Sequence, residues 1–115
     1  MANTFKVITK AGVTSADVIY TVAGSTTAIV LGCVIGNTTG SAITTTVTLT
    51  SDTGSRAGAN NEANQTVELL TATAIPANDT LAVLSGAKLV LEATDSLTVT
   101  GSAAVDITIS VMEIT

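Results

Sequence analysis

Apolar and polar residues alternate with a period of two along most of this chain, the spacing of a strand with one face in a core. Ile43, Thr45, Val47 and Leu49 alternate with Thr44, Thr46, Thr48 and Thr50. Leu97 and Val99 alternate with Ser96, Thr98 and Thr100. Val105, Ile107, Ile109 and Val111 alternate with Asp106, Thr108 and Ser110. There the apolar face passes to Met112 and Ile114, which predicts a bulge or a strand end buried on both sides. Less regular strands are predicted over residues 17–22, 66–73, 80–84 and 88–92, with 4–9 as an edge strand. Residues 28–35 are nearly all apolar and predict a central strand covered on both faces, with Gly32 marking a bulge or close packing.

Turn chemistry separates these segments. Asn37 to Ser41, Asp52 to Ser55, Ser85-Gly86 and Gly101-Ser102 carry the Asn, Asp, Gly and Ser of tight turns, and the single proline, Pro76, lies between two strands. About eight short strands at this spacing predict an all-β fold, an antiparallel β-sandwich of jelly-roll or immunoglobulin-like type. No helix is expected. Residues 1–115 read as one domain, with 1–10 as an N-terminal arm or edge strand. Residues 51–65 hold no apolar side chain larger than alanine, and a loop of that length is either functional or disordered.

Composition sharpens the picture. Charged residues are 11% of the chain against about 25% in ordinary soluble domains. Threonine fills 23 of the 115 positions, and its stiff χ1 suits a pleated sheet. The net charge is −5, and Lys6, Lys10, Arg56 and Lys88 form no basic stripe, so nucleic acid is not an expected partner. No apolar run approaches the 18 or so residues of a membrane helix, and no leader is evident at the N-terminus, so no membrane partner is expected.

The chemistry on offer is sparse. Without histidine there is no Ser/His/Asp, Cys/His or His-zinc arrangement, and no phosphate-binding glycine loop occurs. Cys33 is the one cysteine; it lies in an apolar run without a basic neighbour and reads as a small buried hydrophobe. Asp79, Glu92 and Asp95 lie near turns, where an acid pair can serve hydrolysis or hold Ca²⁺, but their plain reading is solvated turn carboxylates. Three Asn-x-Thr triplets are expected by chance in so threonine-rich a chain. Phe5 and Tyr20 are the only aromatics, too few for a carbohydrate platform. No catalytic residue, cofactor or metal is expected.

Three stretches carry a resemblance: Ile75-Pro76-Ala77-Asn78-Asp79-Thr80-Leu81, then Leu91-Glu92-Ala93-Thr94-Asp95-Ser96-Leu97, then the closing Glu113-Ile114-Thr115. With the Met-Ala-Asn-Thr-Phe start and the turn after Val34-Ile35-Gly36-Asn37-Thr38, their order resembles small virion structural proteins of tailed bacteriophages of marine bacteria and cyanobacteria. Thr94 stands where that family usually has glycine. The resemblance implies a β-sandwich virion component, assembled in a host cytoplasm. It implies a capsid decoration or cement subunit bound to the major capsid protein or other virion proteins. A neck, tail or baseplate component and a receptor- or glycan-binding fibre module are the alternatives.

From the residues themselves, a charge-poor surface with few lysines to guard its strand edges predicts a homo-oligomer, with a trimer favoured. Phe5, Lys6 and Lys10 in the arm, and Arg56, Asn60, Asn61 and Asn64 in the long loop, are the candidate partner contacts. Phe5 would enter a partner's pocket, the lysines would meet its carboxylates, and Arg56 would grip a carboxylate through two hydrogen bonds.

Overall fold

The computed structural model describes residues 2–51, 65–84 and 86–115. They form nine strands: β1 (Asn3–Val13), β2 (Asp17–Thr21), β3 (Thr27–Asn37), β4 (Ile43–Ser51), β5 (Gln65–Ile75), β6 (Thr80–Ala82), β7 (Leu89–Leu91), β8 (Ser96–Gly101) and β9 (Val105–Ile114). One antiparallel sheet runs β1-β9-β3-β6, with β7 also paired to β3. The other runs β2-β8-β4-β5. The two sheets pack as a sandwich, and the all-β expectation holds.

The period-two pattern places the core. Val105, Ile107, Ile109 and Val111 on β9 meet Ala28, Val30, Cys33 and Ile35 on β3 inside the first sheet. Val47, Leu97 and Val99 face them from the second. Thr45 of β4 is buried with the core, while the other threonines of β4 and those of β8 line the opposite, outer face, with Thr46 across from Thr100 and Thr48 across from Thr98. Asn37 is buried at the end of β3. Its amide donates to the carbonyls of Ser41 (2.8 Å), Ile75 (3.1 Å) and Pro76 (3.0 Å), while its Oδ1 accepts from the Thr39 amide and hydroxyl.

One open alternative closes and two local expectations change. The N-terminal residues are a full edge strand rather than an arm: β1 pairs with β9 from Asn3 to Lys10 and again at Val13. β9 has no change of face at its end, because the inward position after Val111 is Glu113, buried, while Met112 and Ile114 stay on the outer side. β3 is central within its sheet and bulges between Val30 and Gly32 as its glycine suggested, but only its inner face is covered. Leu31 and Val34 remain exposed on the other side. Residues 57–63 and most of the long loop lie outside the described residues.

Candidate functional site

The feature that stands out from the fold is a pair of long sheet edges. β1 and β5, eleven residues each, terminate their sheets and, among the described residues, pair on one side alone. β5 is interrupted: its register with β4 shifts twice between Thr45 and Thr48, and Ala72 turns to φ 43°. Bulges of this kind twist an edge away from new partners. β1 keeps its register through Lys10 before its own irregularity, where Gly12 (φ 68°) donates its amide to Asp106 Oδ1 at 3.0 Å.

The side chains of β1 divide by parity. Ile8 packs against the core. Lys6 reaches Glu113 Oε1 at 2.7 Å, and the other carboxylate oxygen accepts the Tyr20 hydroxyl at 2.5 Å. Glu113 thus ties the last strand of one sheet to the edge of the same sheet and to β2 of the facing one. The Lys6 ammonium, then the tyrosine hydroxyl, hold the Glu113 carboxyl below its ordinary range. Burial, then the adjacent carboxylate, push the Tyr20 phenol up. Lys10 lies 3.5 Å from Asp17 Oδ2. On the outer parity, Phe5 is 72% exposed and Val7 65%.

The predicted contact residues therefore separate. Phe5 is free for a partner and absent from its own core. Lys6 and Lys10 each have a carboxylate partner within the chain. Arg56, Asn60, Asn61 and Asn64 lie outside the described residues. The turn carboxylates serve the backbone: Asp79 Oδ1 accepts from the Thr80 amide at 2.8 Å, and Asp95 Oδ2 from the Glu92 amide at 2.9 Å. Asp95 is buried rather than solvated. Among the described residues there is no cluster of three potential metal ligands and no pocket. Cys33 faces the core, and burial pushes its thiol up to about 11.

Sequence reasoning missed the Lys6–Glu113–Tyr20 link. Its signal was present: an acid at the inward parity of a strand whose other inward residues are all aliphatic.

No family model and no curated protein matches the chain. Among solved structures, a subunit of Bacillus endospore appendages, described as a novel family of disulfide-linked pili, matches at 17% identity. The match has a TM-score of 0.48 and covers 99% of this chain and 87% of that one. The comparisons correct the viral expectation. The match is to a spore appendage subunit and not to a phage protein, so the capsid, neck, tail, baseplate and fibre assignments and the virion location are withdrawn. So is the major capsid protein as partner.

Proposed function

We propose that this chain is a non-catalytic structural subunit that assembles with copies of itself through its sheet edges. The observation that carries this reading is β1, a long edge strand whose outer side is neither paired nor covered among the described residues. Natural edges of that length are usually guarded by outward lysines, prolines or bulges. Here the two lysines of β1 are drawn to Glu113 and Asp17, and the strand has no proline. Adding a strand from a neighbour satisfies such an edge through main-chain hydrogen bonds.

The matched appendage subunits form disulfide-linked pili. This chain has one cysteine, inward on β3 and 6% exposed, so assembly of this chain rests on hydrogen bonds and apolar contact rather than on a disulfide. A closed trimer and an open string differ only in whether the rotation between neighbouring copies closes.

The test is sedimentation velocity on the purified chain across a concentration series, with electron microscopy of the largest species. Growth from small to large species with concentration, ending in rings or filaments, is the expected result. A stable monomer at high micromolar concentration would sink the reading.

A further inference from the structure

The outer face of the β1-β9-β3 sheet carries an apolar row that the chain leaves open. Phe5 is opposite Met112, Met112 opposite Ile29, and Ile29 opposite Val90, so one row crosses four neighbouring strands. All four side chains lie on the outer parity, since Val111, Ala28, Val30 and Leu91 beside them are buried inside. Val7 and Val34 widen the patch in the next rows, at 65% and 44% exposure. Within the paired strands the face holds one charge, Asp106, at its far end against Gly12. In a chain of net charge −5, this is the surface on which two copies can meet without repulsion.

We propose that this face is the contact with a second copy of the chain, the two sheets packing face to face about a two-fold axis between Met112 and Ile29. The proposal rests on the self-assembly reading above and adds an interface separate from the edges. Three observations support the choice of occupant. First, the row is self-complementary under that axis: Phe5 of each copy falls over the smaller Val90 of the other, and Met112 falls over Ile29. An isologous contact demands this self-matching. Second, the size is sufficient. Three strands of about ten residues, with the three residues each of β6 and β7 beside β3, at about 4.8 Å by 3.4 Å per residue, give roughly 590 Å² per copy, or about 1,200 Å² for the pair. A biological interface should clear about 1,000 Å². Third, β3 carries the near-continuous apolar run of a strand covered on both faces, while the described residues cover one.

Charge exchange tests it. Phe5→Lys and Val90→Glu each place a charge in the contact, at positions exposed enough to leave the fold intact, which circular dichroism verifies. Each single variant should weaken association by roughly tenfold or more, as an unpaired interfacial charge does. The double variant should recover most of the loss, because lysine and glutamate then meet across the axis. Within one copy they stand roughly 14 Å apart, three strand spacings, and are largely screened from each other. If the wild-type chain associates and the single variants associate equally well, the face is not the contact, while edge assembly stands. If the singles weaken and the double does not recover, the proposed two-fold register is wrong. A monomeric wild-type chain removes both readings.

Discussion

Asn37 concentrates more of the loop geometry in one side chain than any threonine around it. Its amide fills three carbonyls from two separate turns, and its oxygen orders the Thr39 backbone. Truncation to alanine removes these bonds at a buried position, a loss of about 1–3 kcal/mol. Asn37→Asp is the sharper substitution, since it sets a carboxylate against three carbonyl oxygens. Urea unfolding should show Asn37→Asp less stable than Asn37→Ala, despite its closer shape. The Glu113 and Tyr20 pair predicts a pH profile. The Glu113 carboxyl is held low in the folded chain, so its contribution is present above the unfolded value of about 4.3 and is lost as pH falls. The Tyr20 phenol is held high, so its contribution is present below about 10 and is lost as pH rises beyond it. Unfolding midpoints taken from acid to alkali should fall at both ends. Tyr20→Phe should flatten the alkaline fall and Glu113→Gln the acid one; an unchanged profile in either variant would remove that residue from the account.

At the level of elements, β8 closes on a glycine for a steric reason. A Cβ on Gly101 would lie 2.5 Å from the Ala103 carbonyl oxygen and 2.9 Å from that of Val13. Backbone cannot step aside as a side chain can, so Gly101→Ala should cost about 1–3 kcal/mol, the usual penalty of forced overpacking. Gly32, with open space around its missing Cβ, should accept alanine far better. Thermal melts of the two variants side by side check this. The sandwich was legible in the sequence because β4, β8 and most of β9 bury one parity and expose the other, and threonine fills the exposed one. β1 was legible only in part, since Ile8 is its one clear inward aliphatic before Val13. β3 misled, because apolar side chains on the outer parity look like burial whether or not anything covers them. The candidate surface was half legible: Phe5 was singled out, but its alignment with Met112, Ile29 and Val90 depends on register across four strands, which no single segment encodes. The Lys6 pairing was hidden for the same reason, since Glu113 is distant in sequence and adjacent only across the β1–β9 ladder.

For the whole molecule, the order of strands in space differs sharply from their order along the chain. β9, the last of the nine strands in sequence, lies between β1 and β3. Until residues 105–114 have left the ribosome, β1 has no in-sheet neighbour and β3 lacks its longer one. The first sheet therefore cannot close before that stretch emerges, however early its edge strand does. Until then the outward Phe5 and Val7 and the inward Ile8 hang on an unpaired strand, the state in which chains with distant pairings are most exposed to aggregation. Stalled nascent chains ending before β9 should be cut readily by protease along residues 3–13, and chains extended past it should resist. Protection of the shorter chains would mean that β1 finds a temporary partner within the emerging protein.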